Sequence, residues 1–110
     1  MKTVELLLYT LKPGTGEAFH QIMMEQSVPL HRSANMDIVA FGISIDDEDA
    51  YYLIRAYASL SHLKSSQASF YSDEAWRNGP RQAIIDKIDI SVKSVLTLSD
   101  SAVESLRERS

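Results

Sequence analysis

DIVAFGISIDDEDAYYLIRAY, residues 37–57, decides the fold. Two runs of strand-forming residues, Asp37 to Ile45 and Tyr51 to Tyr57, flank the acidic stretch Asp46-Asp47-Glu48-Asp49. Apolar β-branched and aromatic runs on either side of a short polar turn read as a β-hairpin. The turn lacks the glycine and the bidentate glutamate of a calcium loop, so it is expected to be a solvated hairpin tip. Upstream, Val4 to Leu11 is a further strand, closed by Lys12-Pro13-Gly14, a strong turn signal. Thr15 is placed to cap a helix in which Phe19, Ile22, Met23, Gln26 and Leu30 recur at helical spacing. Pro29 is expected to end or kink that helix, and Asn35 to stop it. Downstream, Ser59 is placed to cap a second helix carrying Leu60, Leu63, Gln67 and Phe70, and Asp73 to cap a short turn around Trp76. Pro80 suits a first helical position, and Ala83, Ile84 and Ile88 carry that helix on. Ser91 to Leu98 is a fourth strand, and Asp100 to Arg109 a short polar helix or tail anchored by Val103 and Leu106. Strand, helix, strand, strand, helix, strand is the ferredoxin-like βαββαβ pattern of the α+β class. Residues 1–98 form the domain and 99–110 the tail.

The strands carry a second message. A sheet with helices on one face should alternate apolar and polar residues. Here Val4, Leu6 and Leu8 oppose Leu7, Tyr9 and Leu11, and Val39, Phe41, Ile43 and Ile45 oppose Ile38, Ala40 and Gly42. Both faces are apolar, and helices cover only one. The other face would be a large sticky patch. The economical cover is a second copy, giving a homodimer with the two sheets face to face.

Composition excludes several function classes. The chain has 110 residues, 45% of them hydrophobic and 24% charged, which suits one globular domain. A net charge of −4 with scattered basic residues argues against nucleic acid as a partner. The chain has no cysteine, so disulfides, thiolate chemistry and cysteine-based metal sites are out, and a reducing, cytoplasmic location is expected. MKTVELLLYTLKPG reads as a strand and not as a signal peptide, and no apolar run has the length of a membrane span.

VELLLYTLKPG, followed by a helix with Phe19, resembles the opening of NIPSNAP-family domains. DIVAFGISIDDEDAYYLIRAYASL and FYSDEAWRNGPRQAIIDKI are similar to the middle and C-terminal parts of bacterial members, and the latter is the most specific part. The resemblance spans residues 3–98. One departure is Leu7, where many relatives have arginine. The resemblance implies a dimeric α/β barrel of two ferredoxin-like protomers. The wider barrel superfamily includes cofactor-free monooxygenases, haem-degrading enzymes and isomerases, so the fold alone names no reaction.

Arg55 is the sharpest single residue, an arginine inside an apolar strand on the same face as Tyr51, Leu53 and Tyr57. A buried charge needs a partner. Arg55 is therefore either the binder of a carboxylate or enolate-like oxygen, with Tyr9 or Tyr57 beside it, or half of a structural ion pair with Glu5. His20 and His31 share a helix stripe but lie about 16 Å apart at 1.5 Å per residue, too far to share a metal ion. No metal site and no cofactor is expected. His31 is a candidate acid or base, weighed against a surface histidine of a helix. Phe70, Tyr71 and Trp76 are expected to wall a pocket with Arg81 at its rim, or else to close one end of the protomer. KPGTGEAF lacks the ending and spacing of a phosphate loop. Three functions remain: a barrel protein binding a small apolar or aromatic molecule, a cofactor-independent monooxygenase or isomerase using His31, Arg55 and Tyr57, or an interaction module with a filled barrel.

Overall fold

Four antiparallel strands form one sheet in the order β2-β3-β1-β4, where β1 is Lys2–Leu11, β2 Asp37–Ile43, β3 Ala50–Tyr57 and β4 Ile88–Leu98. The computed structural model describes residues 1–107, and the last residues of the expected C-terminal segment, 108–110, lie outside the described residues. The helices are α1 (Gly16–Ile22), α2 (Val28–Ser33), α3 (Leu60–Ser72), α4 (Glu74–Arg77), α5 (Arg81–Lys87) and α6 (Asp100–Leu106). The chain is thus α+β and ferredoxin-like, with the hairpin of residues 37–57 at one side of the sheet and β4 at the other edge.

Register sorts the side chains. Glu5 pairs with Arg55, Leu7 with Leu53 and Tyr9 with Tyr51 across β1 and β3, and these face the helices. Directly opposed residues share a face, so Val95, Lys93 and Ser91 of β4, which oppose Glu5, Leu7 and Tyr9, lie on the same side. That face carries the main core, including Leu7, Leu11, Phe19, Met23, Leu53 and Phe70. Behind the sheet a smaller cluster joins Val4, Val39 and Ala56 to Val103 of α6. Val103 is buried there, whereas its expected fellow anchor Leu106 is exposed. Arg107, just past α6, holds Asp37 through two hydrogen bonds of 2.7 and 3.0 Å.

Four local features depart from the expected pattern. A register shift between Ile38 and Ala40 puts Ile38 on the helix face with Phe41 and Ile43, and Val39 on the opposite one. The first long helix does not stop at Pro29 but winds through a π-turn, Met23–Ser27, with Val28 N–H bonded to Met23 O. Proline has no N–H, so the carbonyl four residues before it lacks its usual donor, and wider winding there accommodates the loss. Asn35 then ends α2 at a φ of 59°, the left-handed stop. Thr15 does not cap α1, because its hydroxyl donates to Lys12 O at 2.7 Å. Ser59 and Asp73 do cap, accepting from His62 and Ala75 N–H. Strand β4 begins at Ile88, so the end assigned to the preceding helix is sheet.

The acidic hairpin tip is only partly solvated. Asp49 accepts from Gly14 N–H through one oxygen and from Gly16 N–H through the other, each at 2.9 Å, and so clamps the turn after β1. A Cβ on Gly16 would lie 1.7 Å from Glu48 O, which only a backbone shift relieves. Gly16→Ala is therefore expected to cost about 1–3 kcal/mol, as overpacking does. Urea unfolding checks this, and a loss below about 0.5 kcal/mol would show that the tip gives way freely.

Candidate functional site

The site grows from the Glu5–Arg55 row of the sheet. Both side chains are almost wholly buried, at 1% and 2% exposure. Arg55 Nε donates to Glu5 Oε1 at 2.8 Å, and Nη2 donates to the same oxygen. Gln67 from α3 donates to the other Glu5 oxygen at 2.9 Å and to Tyr57 Oη at 3.2 Å. Arg55 Nη1 reaches His31 Nε2 at 3.0 Å and donates to Tyr71 Oη at 2.8 Å. A guanidinium has five N–H groups, and these four contacts leave one on Nη2.

Chemistry fixes the tautomer of His31. Its Nδ1 lies 2.7 Å from Ser27 O, a carbonyl that can only accept, so Nδ1 carries the proton. Nε2 then accepts from Arg55, which can only donate. Burial lowers the His31 pKa to about 4, and the Arg55 charge works in the same direction against the raising effect of Ser27 O. For Arg55, burial pulls the pKa down, but Tyr71, Tyr57 and Glu5 outweigh it, and the net shift is upward. Burial raises the pKa of both Tyr9 and Tyr57, so both stay phenols.

Over these groups lies a cleft of about 320 Å³, where the helix layer stops short of β4. Its lining is Glu5, Leu7 and Tyr9 of β1, Arg55 of β3, Ile88, Ser91 and Lys93 of β4, and Gln67, Tyr71, Trp76, Ile84 and Ile85 from the helices. Tyr9 Oη makes no hydrogen bond among the described residues, and every buried side-chain polar atom there has a partner, so this hydroxyl is accessible. Tyr71 Oη accepts from Arg55, which frees its own proton to be donated elsewhere.

The structure brings together most of the residues singled out from sequence. Arg55, Tyr9, Tyr71 and Trp76 border the cleft. Phe70 is buried behind them, 5.2 Å from the Trp76 ring and 4.2 Å from the His31 ring, centroid to centroid. Tyr57 meets the site through Gln67, which donates to its hydroxyl at 3.2 Å, and does not line the cleft. His31 is no surface histidine of a helix: the π-turn rotates it into the core, where both ring nitrogens are engaged and it holds Arg55 instead of facing the cleft. Arg81 is exposed at the start of α5 and is not among the residues lining the cleft. Gln67 and Lys93 were missed as site residues. In the sequence Gln67 is one more residue at helical spacing, and a lysine on an edge strand gives no signal until the register places it.

Solved structures of the same architecture are close in shape and distant in sequence. A NIPSNAP family protein from Agrobacterium tumefaciens superposes with a TM-score of 0.82 at 15% identity, over 91% of this chain and 95% of that one. A NIPSNAP-like domain protein from Burkholderia xenovorans gives 0.81 at 15% identity, over 90% and 86%. The chain has the NIPSNAP fold. An antibiotic biosynthesis monooxygenase-like protein from Nitrosomonas europaea is further off, with a TM-score of 0.67 at 16% identity over 86% and 96%. No family model and no curated protein matches the sequence. Among the described residues no helix is long and apolar enough to cross a membrane, and no group of three or more His, Cys, Asp or Glu is placed to hold a metal ion.

Two predictions follow from the buried network of this NIPSNAP fold. Arg55→Met alone strands Glu5 and should cost about 3–5 kcal/mol, while Glu5→Leu with Arg55→Met should recover most of that. A double-mutant cycle in urea that shows additive losses would mean the two side chains do not act as a pair. The folded His31 pKa of about 4 lies below the unfolded value of 6.5. The unfolded chain therefore binds the extra proton. Stability from this group is complete above pH 6.5 and falls as the pH drops towards 4, by up to about 3 kcal/mol. His31→Gln keeps an acceptor for Arg55 and should flatten that part of the stability profile between pH 7 and 4.

Proposed function

We propose that this NIPSNAP-like chain forms a homodimeric barrel and binds a small apolar or aromatic molecule in the cleft between its helix layer and β4. The carrying observation is the Tyr71 hydroxyl, which accepts from Arg55 at 2.8 Å beside an apolar cleft of about 320 Å³. A pocket of this size, mostly apolar with a few convergent polar groups, suits a small organic ligand. The phenol's proton, polarised by a buried guanidinium, then meets an acceptor oxygen of the ligand. Arg55 and Tyr9 supply the further donors. A filled protomer would leave no such space.

The homodimer is supported by the sheet face away from the helices. Leu8 and Val92 are opposed across β1 and β4, each 57% exposed, with Ile90 beside them at 54%. A contiguous apolar patch on a two-fold related sheet is self-complementary, so a second copy covers both at once. A cytoplasmic location belongs to the same proposal and draws on the cysteine-free sequence.

A second reading makes the protein a cofactor-independent monooxygenase or isomerase. The likeness to the monooxygenase-like protein from Nitrosomonas europaea favours it, at a TM-score of 0.67. In this reading Arg55, Tyr9 and Tyr71 stabilise an enolate-like oxygen, since preset donors lower the energy of a developing oxyanion. Any proton transfer would fall to Tyr71, because His31 already spends both nitrogens on Ser27 and Arg55.

Native mass spectrometry of freshly purified protein is expected to show a dimer carrying a discrete extra mass. A bare dimer that leaves the cleft empty after incubation with small aromatic compounds would remove the ligand reading. Val92→Glu buries an unpaired carboxylate at the proposed interface and should weaken the dimer at least about 100-fold. Light scattering that finds the variant still dimeric at low concentration would place the interface elsewhere.

A further inference from the structure

The charged side chains lining the cleft are Glu5, Arg55 and Lys93, and its two tyrosines, Tyr9 and Tyr71, are neutral phenols. Glu5 and Arg55 neutralise each other at 2.8 Å, and Gln67 satisfies the second carboxylate oxygen. Lys93 makes no ion pair among the described residues. One uncompensated cation therefore faces the cleft. Its location follows from register: Lys93 opposes Leu7, one row along the same face from the Glu5 row, while Ser91 opposes Tyr9. The Tyr71 and Tyr9 hydroxyls, which line the same cleft, have protons to give. The lining of the cleft thus offers one uncompensated cation and two phenolic donors.

We propose that the ligand is a small aromatic or unsaturated monoanion, its carboxylate or enolate held by Lys93 with the Tyr71 and Tyr9 hydroxyls and its apolar body against Trp76, Ile84 and Ile88. This rests on the reading of the cleft as a ligand site. A cationic ligand would meet Lys93 unfavourably. A phosphate ester is a poorer match, because a dianion calls for a second free cation or a cradle of backbone N–H groups, and neither lines the cleft. Hydrogen bonds to a charged acceptor are about twice as strong as neutral ones, so the anion is where selectivity should appear.

The test compares 4-ethylbenzoate with its neutral counterpart 4-ethylbenzamide. Each is titrated into the intact protein by calorimetry, with fluorescence of Trp76, the chain's single tryptophan, reporting occupancy of the cleft. The acid is expected to bind about tenfold tighter than the amide. Lys93→Gln, a change on an exposed strand position, should weaken the acid more than the amide and bring the two compounds within about threefold. Equal affinity for acid and amide would overturn the monoanion inference while leaving the cleft a ligand site. An acid preference that survives Lys93→Gln would overturn the role of Lys93. Failure of both compounds to bind or to perturb Trp76 would overturn the inference together with the ligand reading.

Discussion

The buried pair of Glu5 and Arg55 is the constraint on which the rest of this structure depends. Both charges lie in the middle of the sheet, directly opposed across β1 and β3, with almost no solvent contact. A slip of one residue between these strands would turn one partner to the opposite face and leave two isolated buried charges. Such a state is costly enough to remove the alternative registers. The pair also orients the layer above it. Gln67 and Tyr71 come from α3 and His31 from α2, and each is pinned by a hydrogen bond to one member of the pair. Apolar packing between helices and sheet tolerates small sliding motions, whereas the hydrogen bonds of this network require set distances and directions.

What was legible in the sequence follows from which signals are local. The hairpin, the order of elements and the caps at Ser59 and Asp73 rest on periodicity and turn chemistry within a few residues. Arg55 announced itself because an arginine in an apolar strand needs a partner, and Glu5 is an acid inside the apolar first strand. The aromatic wall of Phe70, Tyr71 and Trp76 was visible as composition. The features that stayed hidden depend on tertiary contacts. The π-turn at Met23–Ser27 has only Pro29 as a local sign, yet it rotates His31 from an apparent surface stripe into the core. The shift between Ile38 and Ala40 exchanges which residues of β2 meet the helices, and an unbroken apolar run carries no mark of it. Lys93 acquires meaning only when β4 is registered against β1.

The sheet leaves two regions uncovered, and they differ in kind. On the helix face the layer ends before β4, so Ser91 and Lys93 look onto a cleft that mixes apolar walls with buried donors. On the other face α6 fills one end with Val103, and Leu8, Ile90 and Val92 remain as a surface without charge. A flat apolar surface is best matched by another flat apolar surface, and a concave one with aimed donors by a small molecule. A single exposed edge strand thus serves both proposed contacts, one through each face. This arrangement links them physically: a partner copy that stiffens β4 also fixes the row that carries Lys93.

A buried ion pair is a poor device for stability alone, since well-packed apolar residues of similar volume often do as well or better. The arrangement around Arg55 makes more sense as a means of holding Tyr71. Glu5 takes two of the guanidinium's N–H groups and His31, kept neutral by burial, takes another. With those donors committed, the contact to Tyr71 has a fixed direction, and the phenol presents its proton to the cleft without having to reorganise when an acceptor arrives. Preorganisation of this sort is useful for binding and for oxyanion stabilisation alike. The same buried network therefore serves either functional reading, and the distinction between them lies in what the cleft admits beside Tyr71, not in how Tyr71 is held.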